Sequence, residues 1–344
     1  MTETFRRRAT LRDVAQKAGV SRSAVSRAFT EGASVSEATR DKVMAAAKVL
    51  GYSPNVLASS LTTRRTKLIG LVADNFTNPA FLVIFDEFTR RLQERGFRPM
   101  LVNLSGERRP DASVQMLLNY SVDGVIVASS TLPTSFAAAF RSAGLPVVHS
   151  FGRYAGATST HVVGVDNVYC GALAAKTLLD HGYRAIGFLG GPQHATSTED
   201  RLRGFAEEMA AAKTSFTESF ASGYSYDAGL AEMTRLLDNG PPAEAYFCGD
   251  DLLAIGAMDA LERSGLSVPA DVGIIGMNDL EMAHWRRIGL TTVRQPVQRI
   301  IAASVDLMVG QIADPETPPE TRLLPCEVVL RDTLKAQPGP PKPT

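Results

Sequence analysis

The stretch TLRDVAQKAGVSRSAVSRAFTEGASVSEATRDKVMAAAKVLGYSPNVLASSL, residues 10–61, sets the reading of everything around it. Thr10 with Asp13 three residues on is a capping-box signature for a first helix, along which Val14, Ala15 and Ala18 share a face. Gly19-Val20-Ser21 is a turn: glycine supplies backbone freedom, Val20 an apolar plug and Ser21 the next N-cap. The second helix, Arg22 to about Phe29, turns Val25, Ala28 and Phe29 inward and leaves Arg22, Ser23, Ser26 and Arg27 outside. A third, capped by Ser36 and stopped by Gly51, carries Val43, Ala46, Ala47 and Leu50 as a buried stripe. Helix, short turn, helix is the helix-turn-helix arrangement, whose second helix enters the DNA major groove. PNVLASSL (54–61) is too short to be a stable helix alone and reads as a hinge, followed by a polar basic joint, TTRRTK (62–67).

At 344 residues the chain has room for two or three domains, and its formal net charge is zero. That neutrality hides an asymmetry. Residues 1–67 carry 13 Lys/Arg against 5 Asp/Glu, and the remainder holds the matching excess of acid. A basic head on an acidic body suits a polyanionic partner for the head alone. Arg6, Arg7 and Arg8 are either an arm on the phosphate backbone or a solvated tail. The start, MTETFRRRAT, has no apolar core and is not read as a secretory signal, and no run of about 18 apolar residues predicts a membrane span. Cys170, Cys248 and Cys326 are widely spaced without metal spacing and read as small core residues in a reducing cytoplasm.

From Leu68 the period changes. Apolar strands at 68–73, 99–104, 124–129 and 146–151 alternate with helices at 80–95, 110–120 and 135–143. A second series follows, with strands at 161–166, 185–190, 245–250 and 272–279 and helices at 168–181, 199–212, 227–239 and 252–264. Near LTTVRQP (290–296) the chain crosses back into a further helix, and AQPGPPKPT (336–344) has the composition of a disordered tail. Such alternation predicts parallel, doubly wound sheets.

The residues of the head, VAQKAGVSRSAVSRAF then VSEATRDKV then LGYSPNVLASSL, resemble the DNA-binding head of the lactose-repressor/galactose-repressor (LacI/GalR) family, with Ala24 where threonine is usual. VDNVYCGALAAKTLLDHGYRAIGFLGGP (165–192), RLRGF (201–205), DDLLAIGAMDAL (250–261) and IIGMND (274–279) are similar to the same family's body, so the resemblance runs from about residue 10 to residue 334. It implies an α+α/β chain: a three-helix helix-turn-helix head plus hinge (1–62), then a two-lobed, periplasmic-binding-protein-like doubly wound α/β body (63–335) and a tail (336–344). The N-lobe is expected over about 66–161 and 293–324, and the C-lobe over about 162–290 and 325–335. The function implied is that of a cytoplasmic, homodimeric regulator of transcription, a repressor, on a pseudo-palindromic operator, controlled by a small molecule. The DNA-facing set implied is Thr10, Arg22, Ser23, Ser26, Arg27, Asn55, Ala58 and Leu61. Arg22, Ser23 and Arg27 would read bases, and Leu61 would wedge into a minor-groove base step beside the closely packed Ala58; by residue type Ser26 and Thr39 suit phosphate contacts, and Ser26 equally suits a bond to its own helix backbone.

Ligands of open α/β sheets sit at strand carboxyl ends, which nominates Asp74, Asn75, Ser129, Ser130, Arg153, Asp166, Arg201, Asp250, Asp251, Asn278 and Asp279. The resemblance narrows the set to Asp74, Phe81, Ser129, Arg153, Arg201, Tyr224, Asp250 and Asn278, with Phe151 a further aromatic. Asp166 and Asp251 also read as helix N-caps and Asp279 as a structural turn residue. Carboxylate, amide and guanidinium groups around an aromatic plate suit a polyhydroxylated ligand, a sugar. A nucleoside or purine is the second reading and a sugar acid, using Arg153 and Arg201, a variant. HSFGRY has Gly152 where many relatives place a carboxylate or asparagine, which weakens the transfer of ligand contacts there.

No nucleophile–base–orienter set, Walker pattern or G-x-G-x-x-G is present, and the five histidines lack metal spacing, so neither enzyme chemistry nor a cofactor or metal is expected. A transport solute-binding module fits the body but not the basic head. A regulator released by a protein partner would lack convergent polar groups in its cleft.

Overall fold

The computed structural model describes residues 9–30, 32–53, 65–104, 111–132, 134–153 and 160–337. The arm Arg6–Arg8, the hinge with Asn55, Ala58 and Leu61, and most of the tail lie outside the described residues. Two compact units divide the chain, residues 1–66 and 67–344.

The head is three helices, α1 (Leu11–Ala18), α2 (Arg22–Phe29) and α3 (Glu37–Leu50). Local chemistry sets each end. Thr10 and Asp13 form the reciprocal capping box, Ser21 accepts from the Ala24 N–H at 3.2 Å, and Ser36 from that of Thr39 at 3.3 Å. Gly19 and Gly51 take the left-handed conformation that closes α1 and α3. Val14, Ala15, Val25, Ala28, Val43, Ala46 and Ala47 form a small core, rimmed by Val20, Phe29, Leu50 and Tyr52. Arg40 on α3 donates to the Ala28 carbonyl at 2.7 Å and so binds the C-terminal turn of α2.

The body holds two six-stranded sheets. The first contains β1 (Leu68–Ala73), β2 (Arg98–Asn103), β3 (Gly124–Ala128), β4 (Val147–Ser150), β5 (His161–Val165) and β11 (Thr321–Leu324), in the spatial order β11-β5-β4-β3-β1-β2, all parallel. The second contains β6 (Ile186–Gly190), β7 (Phe216–Phe220), β8 (Ala245–Cys248), β9 (Gly273–Asn278), β10 (Thr291–Arg294) and β12 (Glu327–Val329), in the order β12-β10-β9-β8-β6-β7, with only β10–β12 antiparallel. Helices α4 (Ala80–Glu94), α5 (Asp111–Asn119), α6 (Thr134–Ser142) and α11 (Val297–Ala313) surround the first sheet; α7 (Asn167–Asp180), α8 (Thr196–Ala211), α9 (Tyr226–Asp238) and α10 (Asp251–Arg263) surround the second.

Two expectations are corrected here. HVVGV, expected to open the second series, is β5 and pairs with β4 and β11 in the first sheet. A fully buried apolar strand looks the same in either sheet, so local pattern does not assign it. FTESF (216–220) falls outside the strands that the apolar alternation predicts; it is β7, an edge strand with Thr217 and Glu218 exposed, where one-sided burial weakens the apolar signal.

The helix pairs beside the second sheet pack through glycines. A Cβ on Gly171 would overlap the Arg201 carbonyl, and one on Gly204 the Val168 carbonyl, so α7 and α8 cross backbone to backbone. Gly229 and Gly256 do the same for α9 and α10 against Leu253 and Tyr226. Under the first pair lie Phe188, Phe205 and Phe247, fully or almost fully buried, with ring centroids 5.6 to 5.8 Å apart.

Candidate functional site

In both sheets the strand order reverses beside the first strand of the series, between β1 and β3 and between β6 and β8. The carboxyl ends at these switch points deliver Asp74 and Ser129 in one lobe and Gly191 and Asp250 in the other.

Asp250 is the centre of the second lobe's contribution. The residue is 3% exposed. One oxygen accepts the Leu252 N–H at 2.7 Å and caps α10; the other accepts Asn278 Nδ2 at 2.7 Å and Asn78 Nδ2 at 3.4 Å. Asn78 comes from the first lobe, so this carboxylate is held by amides of both. Asn278, in a positive-φ conformation, in turn accepts from Gln295 at 2.5 Å. Arg201, equally buried, donates from Nε to Asn167 Oδ1 at 2.8 Å and from Nη1 to the Gly249 carbonyl at 2.6 Å, and its charge acts on Asp250. Tyr224 lays its ring against Gly191, where a Cβ would strike it, and its hydroxyl meets Thr198 at 2.6 Å and Ser197 at 3.0 Å. In the first lobe Asp74 accepts from the Thr131 hydroxyl, and Ser129 Oγ accepts the N–H groups of Thr131 and Leu132. Phe81 packs with Phe85, centroids 5.6 Å apart.

The lobes also touch directly. Helix α8 begins after Ala195, which offers no side-chain cap; its first N–H groups go instead to first-lobe carbonyls, Ser197 to Ser130 at 3.1 Å and Thr196 to Thr131 at 3.5 Å. Arg153 donates to Asp200 at 2.7 Å, Glu199 at 2.8 Å and the Thr196 carbonyl at 2.9 Å. It is therefore a clasp between the lobes, neutralised by two carboxylates.

The structure moves the cap expected of Asp251 to its neighbour. Asp250 caps α10, whereas Asp251, expected as the cap, is wholly buried and accepts from Thr292 at 2.6 Å and the Leu280 N–H at 2.7 Å. Asp166 does cap α7, and Asp279 pairs with Arg294 and Arg331, a turn residue in an ionic cluster. Sequence reading missed Asn78, Thr131, Asn167, Thr196 and Gln295. Only Asn78-Pro79, a turn dipeptide opening a helix, carries a local signal.

Burial pushes Asp250 up to about 6, against the Leu252 N–H, Arg201 and the two amides that pull it down. The folded chain then holds the proton more tightly than the unfolded one, and this group removes stability as pH rises from its ordinary 3.8 to 6. Asp251, raised by the same cause, has the same sign. Relative to Asp250→Asn, the wild type is expected to lose stability between about pH 4 and 6 and to run parallel above, at about 1.4 kcal/mol per pH unit at most. Urea midpoints across that range check it; a difference that grows in the wild type's favour with rising pH contradicts it.

In the head, Arg22, Ser23, Ser26 and Arg27 are all exposed on α2, away from Val25 and Ala28, and Thr10 is occupied by the cap of α1. Ser23 Oγ lies 2.9 Å from Ser21 Oγ. This row of two guanidiniums and two hydroxyls along one helix face has the composition of a groove-reading surface.

Residues 10–55 match bacterial regulatory proteins of the lacI family, and residues 175–334 match the periplasmic binding protein-like domain. Over 95% of its length the chain is 34% identical to the HTH-type transcriptional regulator CelR of Thermobifida fusca, 99% of which is covered. The chain belongs to the lacI family. Among solved structures, the lac repressor dimer bound to operator and the anti-inducer ONPF superposes with a TM-score of 0.86 at 27% identity, covering 96% of this chain and all of that one. The CelR–cellobiose complex gives 0.71 at 31% identity, covering 95% and 100%. As a lacI-family member the protein is a DNA-binding regulator of transcription controlled by a small molecule. Among the described residues no helix is long and apolar enough to cross a membrane, and no group of three or more His, Cys, Asp or Glu could hold a metal.

Proposed function

We propose that the protein is a cytoplasmic repressor that binds a pseudo-palindromic operator as a homodimer and takes a neutral sugar between its lobes. The observation that carries the sugar is the buried Asp250 carboxylate ringed by Asn278 and Asn78. A hydroxyl donates to such a carboxylate and accepts from such an amide, and a polyol presents several at once. Arg201 adds a guanidinium with two of its nitrogens already engaged, so it is oriented before ligand arrives. Tyr224 supplies the aromatic plate, and Asp74 and Ser129 the polar groups of the opposite lobe. Arg153, already paired with two carboxylates, does not favour a sugar acid. The name of the CelR–cellobiose complex supports a sugar, and that of the lac repressor dimer on its operator supports a dimer.

A ligand that replaces the Asn78–Asp250 contact changes what holds the lobes together. If operator and sugar prefer different lobe arrangements, each alters the other's affinity by the same coupling free energy, about 1–3 kcal/mol in typical cases.

The experiment is a thermal-shift screen of the full chain against neutral mono- and disaccharides, sugar acids and nucleosides. A ligand at 100 times its Kd stabilises by about 2.7 kcal/mol. A neutral sugar is expected to register with the wild type and not with Asn278→Ala. Response to nucleosides alone would replace the sugar reading. For the operator, selection from random duplexes is expected to return two half-sites related by a dyad, each with guanine opposite Arg22 or Arg27; Arg22→Ala should cost about 1–3 kcal/mol and relax one position. Selected sites without a dyad would sink the dimer.

A further inference from the structure

The chain crosses between lobes three times: from β5 to α7, from β10 to α11, and from β11 to β12. The first and third crossings leave the first sheet side by side, because β5 and β11 pair with Val165 opposite Leu324. Cys170 lies in the first full turn of α7, just past one crossing, and Cys326 lies within the other. Their Sγ atoms are 2.9 Å apart, under an ångström from the roughly 2.0 Å of a disulfide bond, and both thiols are free. Cys326 also lines a surface cavity of about 370 Å³ with Tyr169, Leu173 and Val328. Cys326 keeps 8% of its surface exposed, on a cavity wide enough to admit peroxide, while Cys170 behind it is fully buried.

We propose that Cys170 and Cys326 form a reversible disulfide under peroxide-class oxidants, and that this bond joins two of the three inter-lobe crossings and restrains lobe movement. The hydrogen bond from Cys170 favours the Cys326 thiolate over its thiol, and the nearby Arg201 guanidinium acts in the same direction, while Cys170 is raised by that hydrogen bond and by burial. Cys326 is the nucleophile. Its thiolate attacks one peroxide oxygen and breaks the O–O bond, giving Cys326 sulfenic acid and a hydroxide that takes a proton to become water. Cys170, on losing its proton, attacks Cys326 Sγ; the S–S bond forms, the S–O bond breaks and a second water leaves. Two thiols are oxidised and one peroxide is reduced to two waters. A dithiol reverses the bond by exchange. Cys248, in a separate core cluster and raised by burial, takes no part.

The test treats the full chain with hydrogen peroxide, blocks remaining thiols with N-ethylmaleimide after unfolding, and maps the peptides. Two of the three thiols are expected to be lost, with Cys170 linked to Cys326 within one chain and both recovered by dithiothreitol. Amide hydrogen exchange over 165–170 and 324–328 should slow in the oxidised form. Cys326→Ser and, separately, Cys170→Ala should each abolish both changes while their reduced forms unfold near the wild-type midpoint. The proposal is overturned if all three thiols still react, if the link runs through Cys248 or between chains, or if the bond forms and exchange at the crossings is unchanged.

Discussion

Arg201→Ala is expected to cost about 3–5 kcal/mol of stability and to abolish effector binding, the largest effect of any single cleft substitution. The residue is 3% exposed, and its two donated bonds go to Asn167 and to the Gly249 carbonyl, immediately before Asp250. Truncation removes two charge-assisted bonds, strands a buried carbonyl and amide oxygen, and takes from Asp250 the positive charge that favours its ionised form. The empty volume adds a packing cost. Arg201→Lys separates stability from recognition. It keeps the charge and loses the fork, so it should recover part of the urea midpoint while calorimetry still shows no sugar binding. A truncated variant within about 1 kcal/mol of wild type would show that the guanidinium is not holding the β8–α10 loop.

Gly204→Ala is the second large effect, about 3 kcal/mol or more of destabilisation, with Gly171→Ala close behind. One methyl group is an ordinary helix improvement where space exists, but here it meets backbone carbonyl across a helix crossing, and backbone cannot swing aside as a flexible side chain can. Relief would push α7 from α8 and loosen the aromatic core of Phe188, Phe205 and Phe247. Gly310→Ala is the internal control. It sits exposed in α11 with open space where the added methyl would go, so it should be neutral or stabilising by up to about 1 kcal/mol. Denaturant midpoints for the three variants decide the matter; equal effects would remove close packing as the cause.

The head can be read almost residue by residue because its caps, turns and apolar stripe are all local: Thr10 with Asp13, Ser21, Ser36, Gly19 and Gly51 act within four residues of themselves. The body's strand–helix alternation is equally plain. What sequence does not carry is which sheet a buried strand joins, as with β5, or an edge strand whose exposed positions are polar, as with β7. The cleft shows the same division. Strand ends point to Asp74, Ser129 and Asp250. Thr131 reaches Asp74 and Ser129 within one lobe, but Asn78 meets Asp250 and Thr196 meets Thr131 only because the two lobes approach, and beyond the Asn78-Pro79 turn nothing in their own neighbourhoods encodes it. That the cap falls to Asp250 and not Asp251 turns on how the backbone leaves β8, a single-residue matter that adjacent identical side chains cannot reveal.

The order of strands in space has a consequence for synthesis on the ribosome. The first sheet needs β11 and the helix before it, and the second needs β10 and β12, so both are completed only by residues 291–329. A nascent chain that has already released its three-helix head must therefore carry two unfinished sheets, with β5 and β9 unpaired along one side, until residues 291–329 emerge. The DNA-binding part is finished early, the sensing part later and all at once.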